Sequence, residues 1–92
     1  MPHHVTVRIV NRKGLHARAS AQFVRCAESF DAHVWVEKED EKAGATSIMG
    51  LMMLGASLGN EITISAEGGQ AEAAIAALTE LVANGFGEGV DL

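Results

Sequence analysis

The sequence predicts an α+β fold: an open-faced sandwich in which a four-stranded antiparallel sheet is covered on one face by three helices, in the order βαββαβα. Three observations carry this. The strand-like runs each have one apolar and one polar side, the pattern of an antiparallel sheet with a single covered face. The runs with helical periodicity alternate with the strands instead of following them in a block. The length, 92 residues, is that of a single domain, residues 1–92, whose core buries roughly 60 to 65% of the unfolded chain's surface and leaves little room for a deep enzyme cleft.

From His4 to Val10, the residues Val5, Val7 and Ile9 alternate with Thr6, Arg8 and Val10, which predicts a half-buried strand ending near Asn11. From Ala17 to about Ser29, the residues Ala19, Phe23, Val24, Ala27 and Phe30 recur at helical spacing, with Gln22, Arg25 and Glu28 opposite. That predicts an amphipathic helix starting directly after His16. His33-Val34-Trp35-Val36-Glu37 alternates again, with Trp35 on the uncovered face, and the charged run from Lys38 to Lys42 is either a solvated connection or an edge strand. Ser47 as N-cap and Gly55 as stop frame a short helix from Ile48 to Leu54. Glu61 to Ala66 is the next clear strand. Gly68-Gly69 then turns into an alanine-rich helix from Ala71 to Ala83, with Ala74, Ile75, Leu78, Leu81 and Val82 on one face. Beyond Asn84, the glycines Gly85, Gly87 and Gly89 predict a frayed tail over 85–92.

Nearly half the residues are apolar and only 4% are aromatic, so the core must be built from Ala, Val, Ile, Leu and Met, with Phe23, Phe30 and Phe86 as its largest fillers. Cys26 is the single cysteine, which excludes a disulfide within the chain and fits a reducing compartment. The start of the chain has no signal-peptide pattern, and no apolar run reaches the length of a membrane span. The expectation is a cytoplasmic protein without membrane insertion. The net charge of −5 hides an asymmetry: Arg8, Arg12, Lys13, Arg18 and Arg25 fall in a first part without acids, whereas 61–92 holds acids and no Lys or Arg. That predicts a basic face around His16, suited to acidic protein partners or a phosphorylated donor, and an acidic face elsewhere. An acidic protein of this kind is not a general nucleic-acid binder.

Asn11 to Ser20 carries the chemistry. Gly14 ends the extended run, His16 falls where a helix N-cap would sit, and Arg18 adds a charge that does not titrate near neutrality. The first N–H groups of a helix have no acceptor within it, so those of Ala17 and Arg18 are available to an anion. Neutral imidazole, the main form of an ordinary histidine at pH 7, is a nucleophile beside that anion seat. The plainer reading is a histidine at a loop-to-helix junction, and spacing alone leaves the two open. No Asp or Glu lies within ten residues of His16, which deprives a Ser-His-Asp hydrolase of local support, although a carboxylate could approach from the C-terminal tail. His3, His4 and His33 lack companion ligands at metal-binding spacing, so neither a metal nor another cofactor is expected.

The residues Gly14-Leu15-His16-Ala17-Arg18 with Ala21-Gln22-Phe23-Val24, then Ser47-Ile48-Met49-Gly50-Leu51 with Leu54-Gly55, then Ile64-Ser65-Ala66-Glu67-Gly68, resemble the histidine-containing phosphocarrier (HPr) family of the phosphoenolpyruvate-dependent phosphotransferase system. The resemblance implies a carrier, not an enzyme, that accepts a phosphoryl group from enzyme I on Nδ1 of His16 and donates it to an enzyme II A domain. Arg18 would be the phosphate partner. It also implies docking through Ala17, Ala21, Arg25, Ile48, Met49 and Met52; the plainer reading of these apolar residues is core packing, which is what is expected of Met53 and Leu54. Ser47 matches a serine that a dedicated kinase phosphorylates, and a phosphorylase reverses, in many members; its plain physical role is the helix N-cap. The chain departs from the family at Ala19, where proline is usual. Glu28 to Asp31 and the tail from Asn84 to Glu88 look closer to the nitrogen-related regulatory branch than to the sugar-uptake branch. A monomer is expected. The alternative is a regulatory binding module controlled by Ser47 phosphorylation, with His16 silent.

Overall fold

The computed structural model describes residues 2–89. Its elements are β1 (His3–Arg8), α1 (Ala17–Glu28), β2 (His33–Lys38), β3 (Glu41–Gly44), α2 (Ile48–Met53), β4 (Glu61–Glu67) and α3 (Ala71–Ala83). The strands form one antiparallel sheet in the order β1-β4-β2-β3, so β1 and β3 are its edges. Register follows from side-chain alternation. Val5 faces Ile64 and Ile64 faces Val36, which faces Ala43, so one row of apolar side chains crosses all four strands on the covered side. On the other side Thr6, Thr63, Glu37 and Lys42 form a polar row. This is the predicted open-faced sandwich.

The core lies between the covered sheet face and the helices, and its largest wholly enclosed side chains are Phe23 from α1, Leu78 and Val82 from α3, Ile62 and Ile64 from β4, and Phe86. Trp35 stands half-buried on the bare face, as expected, with the Lys42 ammonium 5.0 Å over its ring and the His33 ring 5.1 Å away. The charged run divides: Lys38 ends β2, Glu39 takes a positive φ of 55° in the turn, and Glu41 opens the edge strand β3. β1 stops two residues short of the predicted end, although Ile9 continues the pairing by accepting from Gly59 N–H and donating to Asn60 O, each at 2.9 Å.

Three expectations are corrected. The tail over 85–89 is not frayed: a 3-10 turn over Gly85–Gly87 carries Phe86 into the core, 1% exposed. Gly85 and Gly87 adopt φ of 68° and 78°, and Phe86 itself takes 56°, so the glycines read as breakers are what let the chain turn back on itself. Residues 90–92 lie outside the described residues. Met53, expected in the core beside Leu54, is 76% exposed. On a helix this short the inward positions are Leu51 and Leu54, three apart, and Met53 falls on the far side. Arg8 lies away from His16: it pairs with Glu61 across β1 and β4 and lines a depression with Glu37 and Lys38 of β2.

Candidate functional site

The site begins with the turn that delivers His16. Gly14 has φ +62°, and its N–H donates to Asn11 O at 3.2 Å. A Cβ at Gly14 would sit 2.3 Å from Ala56 O, so glycine is required by space as well as by dihedral. Leu15 is buried, donates its N–H to Ala56 O at 3.0 Å, and accepts from Ser20 Oγ at 3.1 Å. The turn is thus pinned to the loop after α2 and to the first turn of α1.

His16 is the N-cap of α1, with φ −76° and ψ −179°, and its carbonyl accepts from Ser20 N–H at 2.8 Å. Its side chain makes no capping bond, so the imidazole is free to engage elsewhere. It engages Glu88. Nε2 of His16 lies 2.5 Å from Oε2 of Glu88, with the two side chains 25% and 22% exposed. The other carboxylate oxygen, Oε1, accepts from Asn11 Nδ2 at 3.0 Å, and the same Nδ2 donates to Gly14 O at 3.0 Å. The bond from Asn11 is the main cause that holds the Glu88 carboxyl below its ordinary 4.5; desolvation opposes it, and the bond to His16 and the charge of Lys13 add to the lowering.

Arg12, Lys13, His16, Arg18 and Glu88 line a shallow open depression of about 400 Å³. Three cations and one acid around an imidazole suit an anion on a nucleophile. A larger depression of about 770 Å³ on the bare sheet face mixes Arg8 and Lys38 with Glu37, Glu39 and Glu61, so acids outnumber cations there and it is no seat for an anion.

Residues 4–84 match the protein family PTS-HPr, the PTS HPr component phosphorylation site. The chain belongs to the HPr family. It is 45% identical over 84 residues to the phosphocarrier protein HPr of Neisseria meningitidis serogroup A, covering 91% of this chain and 94% of that protein. It is 40% identical over 82 residues to the phosphocarrier protein NPr of Shewanella violacea, covering 89% and 90%. Among solved structures it superposes on HPr-C-His from Thermoanaerobacter tengcongensis with a TM-score of 0.90 and 49% identity over 96% of this chain and 99% of that one. The HPr dimer of the same organism gives a TM-score of 0.75 at 51% identity, covering 91% and 97%.

Of the residues singled out in the sequence of this HPr-family chain, His16 and Arg18 share the depression, and Ala17 is exposed beside them. Ala21 is half-buried, and Arg25, Ile48, Met49 and Met52 are exposed where α1 packs beside α2. Of Ile48, Met49 and Met52, Met49 at 66% exposure protrudes most, and Met53 joins it. Ser47 is exposed and caps α2, its Oγ accepting from Gly50 N–H at 2.9 Å. Ala19 is fully buried at the third helical position, and α1 starts at Ala17 as expected. Sequence reasoning allowed for a carboxylate from the C-terminal tail but named neither Glu88 nor Asn11 as a member of the site. The available signal was the pair of glycines around Phe86, an apolar residue too large to leave in solvent.

Proposed function

We propose that this protein is a phosphoryl carrier of the phosphoenolpyruvate-dependent phosphotransferase system: His16 takes the phosphoryl group on Nδ1 from phosphorylated enzyme I and passes it to a histidine of an enzyme II A domain. The observation that carries this reading is the His16 imidazole at the start of α1, in one depression with Arg12, Lys13 and Arg18. The site is open, and a carrier needs that: its phosphate must be reached by two partners in turn. The helix end contributes about 0.3 to 1 kcal/mol to an exposed anion, and a charge-assisted bond from Arg18 about 1.5 to 3 kcal/mol. Those amounts orient a phosphate without trapping it.

Docking on both partners is assigned to Ala17, Ala21 and Arg25 of α1 with Ile48, Met49 and Met52 of α2. Exposed methionines adapt to differently shaped surfaces, as successive partners on one patch require. Ser47, at the edge of that patch, is the proposed site of regulatory phosphorylation. The protein acts as a monomer in this scheme.

Incubation of the full chain with phosphoenolpyruvate and enzyme I is expected to give one acid-labile phosphate per chain, lost in His16→Ala. Phosphate retained by His16→Ala overturns the assignment. Relatives bear both the HPr and the NPr names. Transfer from the phosphorylated chain to a sugar-type and to a nitrogen-type A domain, compared side by side, identifies the acceptor.

A further inference from the structure

We propose that Met49 and Met53 form an oxidation site that controls docking: a peroxide converts their thioethers to sulfoxides, the modified face of α2 loses its partner, and a thiol-dependent reductase restores it. The inference rests on the docking role proposed above for α2.

The placement of the methionines carries it. The apolar core is built of Ala, Val, Ile, Leu and Phe, and no described methionine belongs to it. Met49, Met52 and Met53 are all the methionines among the described residues, and they lie on one six-residue helix, 66%, 37% and 76% exposed. The inward positions there are Leu51 and Leu54, which hold no sulfur. Met49 and Met53 are four residues apart, so their side chains stand one above the other on the outward side. The helix thus keeps oxidisable side chains outside and inert ones inside. Cys26, the single thiol, is half-buried, and desolvation raises its pKa above the ordinary 9.0. Thiolate is the form that reacts with a peroxide, so near neutrality this thiol is the weaker target. The first oxygen therefore falls on α2.

In that step a sulfur lone pair attacks one peroxide oxygen, the O–O bond breaks, and a sulfur–oxygen bond forms. With hydrogen peroxide the other oxygen leaves as hydroxide and takes the proton from the transferred one, giving water. Sulfur loses two electrons and the peroxide gains them. Two thiols reverse the change: they become a disulfide, and the oxygen leaves as water. A sulfoxide is polar and stiff where the thioether was apolar and pliable, so seating it in an apolar contact costs the desolvation of its oxygen. Folding is spared, because neither side chain belongs to the core.

The test treats the full chain with a limiting amount of hydrogen peroxide and follows it by peptide mass spectrometry, thermal denaturation and calorimetric titration with enzyme I. Oxygen is expected first on Met49 and Met53, ahead of Met52 and Cys26, with the thermal midpoint unchanged and the affinity for enzyme I reduced about tenfold. Methionine sulfoxide reductase with dithiothreitol is expected to restore that affinity. A variant carrying Met49→Leu, Met52→Leu and Met53→Leu is expected to bind equally before and after peroxide, whatever its starting affinity. Oxidation of Cys26 ahead of Met49 and Met53, a fall in the thermal midpoint that accounts for the lost binding, or an equal loss in the leucine variant overturns the proposal. Arg25→Glu, on α1 in the same proposed patch, tests the docking reading separately. If it weakens the complex and oxidation does not, the patch docks and the oxidation proposal alone falls. If neither changes the affinity, the docking reading falls and takes this proposal with it.

Discussion

Glu88 and His16 are 72 residues apart in the chain, and their side chains meet at 2.5 Å. The contact joins the acid-only final third of the sequence to its basic beginning. The separation of charge along the chain is therefore not a separation in space at the site. Lys13, Arg12 and Arg18 surround a carboxylate as well as an imidazole, and the depression is less positive than the first twenty-five residues alone suggest.

Phe86 is the hinge of that contact. Phe86→Ala is expected to lower stability by about 3 to 5 kcal/mol, because a large ring leaves the core and the surroundings close over it only in part. Chemical denaturation with a two-state fit measures it. A loss below about 1 kcal/mol would show that the tail contributes little to the folded core. The left-handed backbone at this position persists in the variant, so the loss reports the ring.

Ser47 caps α2 and is the proposed site of regulatory phosphorylation, and two substitutions separate these roles. Ser47→Ala removes the cap of α2 and is expected to cost about 0.5 to 2 kcal/mol of stability. Ser47→Asp retains a good cap but adds negative charge beside the proposed docking patch. It is expected to keep stability within about 0.5 kcal/mol of the wild type while weakening the enzyme I complex by about 0.5 to 1 kcal/mol, several-fold in affinity, at low salt. Calorimetric titration of both variants checks this. Equal affinities for Ser47→Asp and the wild type would place Ser47 outside the docking surface.

Glu88 makes the tail contact dependent on pH. Its carboxyl titrates below the ordinary 4.5, chiefly through the Asn11 bond and then through His16 and Lys13. A depressed acid stabilises the folded state in full above the unfolded value and loses that contribution as pH falls through the folded one. The contact is therefore expected to hold at neutral pH and to release only in acid, below 4.5. Following the Glu88 side-chain carbon by NMR through an acid titration gives the midpoint directly. A midpoint at or above 4.5 would contradict the bonding described.

By itself the sequence determined the elements and the first half of the depression around His16. Strands alternate every second residue and helices every three to four, and these are short-range patterns that a single chain displays openly. The start of α1 at Ala17, the Ser47 cap and the placement of His16 beside Arg18 all follow from neighbours within a few positions. Only the tertiary structure decided that Glu88 and Asn11 complete the site, that Met53 faces outward, and that Arg8 belongs to the bare face of the sheet. Each of these depends on which distant surfaces meet when the core closes. Three glycines in the last residues looked like a loose end because local propensity scores them as breakers. The free energy of burying Phe86 outweighs that propensity, and it sets the carboxylate two residues later against the histidine.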